Sequence, residues 1–289
     1  MKKQAKFIKA DFDKMFPDNN ACIEWIKNKQ YPNGIGCPVC KKITKHHKFT
    51  KRPVYECDYC GHQVSPLAKT IFRKSSTPLK IWFEAIYDIS NTRTGYSAKA
   101  LQRKTGVTYK TAWRMFRQIR TLLNENPGIF TGEVEADETY IGGVRHGTRG
   151  RGAEGKTAVI GIAQRKGKVI SEVAPNVKRS TIVPFVTRHI SPDVVLYTDE
   201  FASYDHFTRF GYKHQRVNHG AKIYVNGNAH TNSIEGFWSL VKRGISGVYH
   251  SVSPKYLQSY LNEYTFRYNH RDDEAPMFQL VLNRVVISQ

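Results

Sequence analysis

Residue order alone predicts an α+β protein in two parts, with a small cysteine-stapled module and a pair of short helices in front and a mixed-sheet α/β domain behind. Three observations carry this expectation: two Cys-x-x-Cys pairs near the front, a helix, glycine turn and helix pattern over 97–117, and strand-like alternation that begins only after 130.

The chain of 289 residues is long enough for one domain of ordinary size plus one or two small modules. A hydrophobic fraction of 40%, with 4 Trp, 15 Phe and 16 Tyr, supplies a packed core and argues against disorder. The basic start Met1-Lys2-Lys3-Gln4-Ala5-Lys6 leads into no apolar stretch, and no run approaches membrane-spanning length. Neither a signal peptide nor a membrane span is expected, and a cytoplasmic location is. Lys and Arg outnumber Asp and Glu by 45 to 24, a formal net charge of +21. Residues 1–130 hold 25 of those bases and 9 of those acids, a net +16, against +5 for the remainder. Such a surface suits a polyanion, double-stranded DNA foremost. The asymmetry points to a front half that grips and a rear half employed otherwise.

A disulfide framework is not expected of five cysteines in a cytosolic chain. Four of them stand as Cys37-Pro38-Val39-Cys40 and Cys57-Asp58-Tyr59-Cys60, with 16 residues between the pairs. Two such knuckles bring four thiolates to the corners of a tetrahedron, the coordination that Zn2+ prefers. Gly36 and Gly61 flank the knuckles and should let them turn tightly, and residues 48–56 read as short β structure with a turn. The pattern is a zinc ribbon, assigned to 35–75 behind a helical lead-in at 1–34. Cys22, in a helical stretch over 21–26, reads as a small buried hydrophobe.

Pro78, near a first turn, opens a helix that runs through Trp82 and Tyr87. A second helical segment at 97–104, the turn Thr105-Gly106-Val107 and a third segment at 108–117 match a helix-turn-helix, assigned to 76–126. Tyr109, Lys110, Arg114 and Arg117 then project toward bases and phosphates. The alternative is an αα-hairpin with a solvated basic face.

Asn124-Glu125-Asn126-Pro127-Gly128 breaks the helical pattern, and the rear domain is assigned to 130–289. Alternation marks strands at 134–141, 158–163 and 169–173, with a turn at Arg165-Lys166-Gly167-Lys168. A helix over 180–189 precedes Val194-Val195-Leu196-Tyr197-Thr198-Asp199, an apolar strand that ends in an acid. Three strands in hairpin order, a helix, then a strand ending in Asp is the ribonuclease-H-like (retroviral-integrase-like) arrangement. In it an acid midway along the first strand, here Asp137, lies beside one at the end of the fourth, here Asp199.

A third acid is expected from a later helix. The segment 232–242 has apolar residues at 234, 237, 238 and 241, a helical period. Glu235 follows Asp199 with 35 residues between them. Lys242 sits two turns further along the same helix face, roughly 10.5 Å away. Clustered carboxylates bind hard divalent ions, Mg2+ or Mn2+, and a pair of ions activates an attacking oxygen while stabilising a leaving one. Asp137, Asp199 and Glu235 are therefore the expected ligands, with Lys242 and Arg243 on phosphate. Asn232 with Glu235 three later also reads as a capping box that needs no chemistry. Glu138 and Glu200 fall on the other side of their strands and read as supporting or surface groups.

Together these residues resemble the IS1595 group of transposases, with an ISXO2-like catalytic domain behind a zinc ribbon. The matching stretches are the two cysteine knuckles, Asp137-Glu138-Thr139-Tyr140-Ile141-Gly142-Gly143, Tyr197-Thr198-Asp199, and His230-Thr231-Asn232-Ser233-Ile234-Glu235-Gly236-Phe237-Trp238. Val241-Lys242-Arg243-Gly244-Ile245 and Tyr264-Thr265-Phe266-Arg267-Tyr268-Asn269-His270-Arg271 continue it. The resemblance covers nearly the whole chain. It implies a DDE-type enzyme of a prokaryotic nucleoid that nicks the ends of its own mobile element and joins them to target DNA. Pairing two ends implies a homo-oligomer on DNA. Some members of the group carry Asn where the third acid stands, which keeps Asn232 open.

Two other functions fit part of the pattern. One is a DNA-binding regulator with an inactive rear domain, against which the intact acids count. The other is a nuclease of the same fold that cuts without joining. Gly150-Arg151-Gly152-Ala153-Glu154-Gly155-Lys156-Thr157 fits a phosphate-binding loop letter for letter, but strand-like residues follow where a helix must, so no nucleotide is expected. Residues 144–156 read instead as a basic hairpin loop whose Arg149 and Arg151 reach DNA. Tyr256, Tyr260, Tyr264 and Tyr268, every fourth residue, read as a packing stripe.

Overall fold

A computed structural model describes residues 5–49, 52–142, 155–217 and 230–287. By their contacts these form two units, 1–122 together with 272–289, and 123–271.

In the first unit, α1 (Lys9–Met15) and α2 (Asn19–Gln30) lead into the ribbon, and Asp18 caps α2 by accepting from the Ala21 N–H. The ribbon comprises β1 (Gly36–Cys37) paired with β2 (Lys42–Ile43), and a sheet of β3 (His46–Lys48), β4 (Tyr55–Cys57) and β5 (Gln63–Val64). Glu24 on α2 accepts from the Tyr55 hydroxyl and from Lys48, which ties the lead-in helix to the ribbon. Three helices follow: α3 (Leu79–Asn91), α4 (Ala98–Thr105) and α5 (Tyr109–Thr121). Ser97 and Thr108 cap α4 and α5 through their hydroxyls, and Gly106 ends α4 at φ +74°, a left-handed turn that a side chain would strain. The expected helix, glycine turn and helix is therefore present.

The last helix, α9 (Met277–Ile287), groups with this first unit, whereas the sequence assigned everything from 130 to 289 to the rear domain. Its buried Phe278, Val281, Leu282 and Val285 recur at helical spacing. Phe278 lies within 6.1 Å, ring centre to ring centre, of Phe7, Phe12, Phe16 and Tyr87. An apolar stripe fixes that a helix must dock, but not against what.

In the second unit, β6 (Glu133–Gly142), β7 (Lys156–Gln164) and β8 (Val169–Ala174) form an antiparallel meander. Then α6 (Arg179–His189) crosses to β9 (Val195–Thr198), and β10 (Lys213–Arg216) completes a sheet of order β10-β9-β6-β7-β8. The pairs β6–β9 and β9–β10 are parallel and the others antiparallel, which is the ribonuclease-H-like topology. The sequence reading did not include β10, a polar strand with no alternation to announce it. Lys156 and Thr157 open β7 directly, so no helix follows the loop-like motif.

Both faces of the sheet are covered. Val134, Ala136, Ile160 and Ile162 pack with α6, and Val159, Ala163 and Val169 pack with α7 (Asn232–Gly244) and α8 (Pro254–Asn269). The outer edge of β8 would expose unpaired backbone groups. Helix α8 meets them with side chains: Asn269 binds both the N–H and C=O of Val169, while Gln258 binds the Val173 N–H and the Ser171 C=O. Of the tyrosine series, Tyr264 is fully buried in this core, and Tyr268 packs on Phe237.

Candidate active site and zinc centre

The four ribbon sulfurs converge, with all ligand atoms within 4.8 Å of one another. Cys37 and Cys60 Sγ are 3.5 Å apart, and Cys40 and Cys57 Sγ 3.9 Å. Thiolates at about 2.3 Å from a tetrahedral Zn2+ stand about 3.8 Å from one another, so these spacings fit the ion. The Thr44 hydroxyl, 3.2 Å from Cys57 Sγ, pulls that thiol down to about 6. In each knuckle the residue after the second cysteine turns left-handed, Lys41 at φ +54° and Gly61 at φ +71°. Gly61 plays the expected part; Gly36 does not, and Lys41 takes the turn in the first knuckle.

The carboxylates come together through strand register. Glu135 of β6 pairs with Tyr197 of parallel β9, so Asp137 and Asp199, each two residues further on, stand at one level. Strand β9 ends at Thr198 while β6 continues to Gly142, and the gap that opens receives both acids. Oxygens of Asp137, Glu138 and Asp199 lie within 4.8 Å of one another. Glu138 therefore joins the acid group rather than standing apart from it. Its side chain leaves β6 on the α6 face, buried near the fully buried Tyr204, whose hydroxyl stays protonated well above the usual range through burial and the nearby charges of Glu138 and Asp137.

Burial, then the charges of Glu138 and Asp199, push the Asp137 carboxyl up to about 7. Such mutual repulsion is what a divalent cation offsets, and three carboxylates are the hard donors it takes. Two neighbours orient the acids. The Trp238 indole donates to Asp137 Oδ2 at 3.1 Å, and the Phe201 N–H donates to Asp199 Oδ1 at 2.9 Å. Trp238 reaches Asp137 across Gly161, which pairs with Asp137 on β7. A methyl group at Gly161 would stand 2.5 Å from the indole ring.

Helix α7 is anchored beside this group by a residue that sequence reasoning passed over. Glu135, with no exposed surface, accepts from the Ser233 and Ile234 N–H groups at 2.8 and 3.0 Å, which brings a negative charge to the helix N-terminus. Arg165 binds the same carboxylate at 3.0 Å, donates to the His230 C=O and stacks 3.8 Å over the Tyr197 ring. An acid on a buried strand facing a basic turn at 165 was the available signal. The expected Asn232 cap is absent: Thr231 is the N-cap, and Asn232 is the first helical residue. The Thr231 hydroxyl donates to Glu235 Oε1 at 2.6 Å, and Glu235 lies outside the group formed by Asp137, Glu138 and Asp199. Its charge nonetheless contributes to the raised Asp137. Asn232, Glu235, Lys242 and Arg243 are all exposed on α7, and Tyr109, Lys110, Arg114 and Arg117 are all exposed on α5. Arg149 and Arg151 lie outside the described residues.

A ribonuclease-H-like sheet that gathers acids from its first and fourth strands, in one chain with a four-cysteine zinc ribbon, defines a DDE-domain protein of the transposase kind. Residues 129–269 match the ISXO2-like transposase domain, and residues 17–63 match the transposase zinc-ribbon domain. The chain belongs to the IS1595 family of transposases. It is 28% identical over 273 residues to an uncharacterized protein in transposable element ISH50 of Halobacterium salinarum, spanning 88% of this chain and 92% of that one. It is 33% identical over 107 residues to an uncharacterized transposase-like protein of Haemophilus influenzae, spanning 37% of this chain and 85% of that one. A simian T-cell lymphotropic virus intasome, in complex with a PP2A regulatory subunit, aligns over 69% of this chain and 71% of its own. The TM-score is 0.32 and the sequence identity 11%. Among the described residues no helix is long and apolar enough to cross a membrane.

Proposed function

We propose that this protein cleaves DNA at the ends of an insertion sequence and joins the freed ends to target DNA. The observation that carries the reading is the acid group itself, Asp137 on β6 level with Asp199 just past the end of parallel β9, with oxygens within 4.8 Å. In this reading Asp137, Asp199 and Glu235 hold Mg2+ or Mn2+, which supplies charge to activate an attacking oxygen and stabilise a leaving one. Water first displaces one strand at the element end, breaking a P–O bond and freeing a 3′-hydroxyl. That hydroxyl then attacks a target phosphodiester, so one P–O bond forms as another breaks and no nucleotide is consumed. Lys242 and Arg243 on α7, Arg149 and Arg151, and Tyr109, Lys110, Arg114 and Arg117 on α5 contact double-stranded DNA. The net charge of +21 supports that assignment. Two ends held at once call for a homo-oligomer on DNA, in the cytoplasm of a prokaryote.

Glu138 offers a second candidate for the third ligand, because its oxygen lies in the acid group and that of Glu235 does not. Cleavage and joining of labelled element ends in magnesium, with circular dichroism to confirm folding, decides among them. Asp137→Asn and Asp199→Asn should lose both steps and keep end binding. Loss in Glu235→Gln with activity in Glu138→Gln assigns the ligand to Glu235, the reverse assigns it to Glu138, and loss only in Asn232→Ala assigns it to Asn232. Cleavage without joined product in the wild type makes the protein a nuclease. End binding with neither step makes it a regulator.

A further inference from the structure

Beside the acids, on the α6 face of the sheet, lies a cavity of about 370 Å3 lined by Tyr140, Lys156, Ala158, Asn176, Lys178 and Phe201 among others. We propose that it receives a single unpaired nucleotide of the DNA strand being processed, an inference that rests on the DNA-processing role above and adds a pocket to it.

The location is set by chain geometry. Tyr140 follows Glu138 by two residues on β6 and so shares its face, and Phe201 follows Asp199 by two, with its own N–H on the Asp199 carboxylate. Both rings pack at the rim of the α6-side core, where they leave apolar surface toward the cavity. Aromatic walls stack a base of any identity.

The charges point to the phosphate. Lys156 opens β7 and Lys178 is the N-cap of α6, and among the described residues neither has an acidic partner. The first turn of α6 holds no acid, and Lys178 and Arg179 place two cations at the helix's positive end. That placement opposes the macrodipole and is unfavourable by itself; an anion seated there reverses the sign. A flat apolar group between aromatic side chains with an anion at its edge is a nucleotide. A paired base inside a duplex cannot enter, so the occupant is one turned out of its stack next to the scissile phosphate.

The test uses the full-length zinc-loaded protein without added magnesium and two short duplexes of one sequence, one fully paired and one with a single unpaired 2-aminopurine. The wild type should bind the second about tenfold more tightly, the worth of one stacked base, and should quench its emission. Ser203→Trp fills the cavity from the short helical turn Ala202–Tyr204, and Lys178→Gln removes a surface cation without touching the core. Both should lose the preference and the quenching while keeping affinity for the paired duplex. Equal affinity for the two duplexes in the wild type overturns the pocket, as does a preference that survives in both variants. Competition by free deoxyadenosine monophosphate at equal affinity would also overturn it, since the site would then take mononucleotides rather than a strand. Failure to bind even the paired duplex would instead remove the DNA-processing role.

Discussion

Glu135→Ala is the substitution whose cost the structure specifies most closely. The carboxylate is fully buried, lies 3.0 Å from Arg165 Nε and accepts two N–H groups of α7 at 2.8 and 3.0 Å. Removing it takes the inner carboxylate from the nearly buried Arg165 guanidinium, which keeps only the more exposed Glu133 at 3.4 Å, and opens the N-terminus of the helix that carries Glu235. Breaking a buried pair from one side costs about 3 kcal/mol at the low end of such changes, because Arg165 keeps Glu133 while the two helix N–H groups lose their acceptor. Glu135→Gln keeps an oxygen for the helix but turns its amide NH2 toward Arg165, losing that acceptor along with the charge, so about 2 kcal/mol is expected. Urea unfolding at fixed zinc, followed by far-ultraviolet circular dichroism and fluorescence, reads both. A cycle with Arg165→Met should give a coupling of roughly 2 kcal/mol, since the two residues are in direct contact. A loss below about 1 kcal/mol for Glu135→Ala would mean that the pair behaves like an exposed one, and the anchoring argument would fail.

Three further outcomes follow from the same geometry. Asp137 has a folded-state value raised from 3.8 to about 7, so the fold is penalised for its charge, with the penalty absent below 3.8 and complete above about 7. In zinc-loaded protein without magnesium or manganese, Asp137→Asn should therefore stabilise by roughly 4 kcal/mol at about pH 8, and by about half of that at about pH 5.5. Thermal melts that show the same gain at both pH values would contradict it. Gly161→Ala pushes a methyl group to 2.5 Å from the Trp238 ring and should cost about 2 kcal/mol. Adding Trp238→Phe should recover part of that loss, and a neutral Gly161→Ala would show that α7 does not sit where the contact requires. Chelation of zinc, or Cys57→Ser, should unfold the ribbon, seen as new protease cleavage between β1 and β5, because metal binding supplies much of such a module's folding energy. A metal-free protein with an intact ribbon would remove the zinc assignment.

The residue order by itself determined what depends on local period and on fixed ligand spacing. The paired knuckles declared zinc because tetrahedral thiolate geometry tolerates few spacings. The meander, the crossover helix and the strand ending at Asp199 declared the sheet, because strand and helix periods differ. Tertiary structure alone decided the rest. Glu138 looked like a supporting group on the wrong face, yet the divergence of β6 from β9 brings its carboxylate within reach of both aspartates. Asn232 looked like a cap by its local sequence, yet a glutamate from nearly 100 residues earlier, Glu135, meets the helix N-terminus instead. The final helix looked like the tail of the catalytic domain, yet its stripe of Phe278, Val281, Leu282 and Val285 groups with the front unit. Hydrophobic period says that a surface must be covered, and hydrogen-bond donors say that they must be met. Which distant residue does either is a property of the packed chain, where burial makes one long-range partner far better than the local alternative.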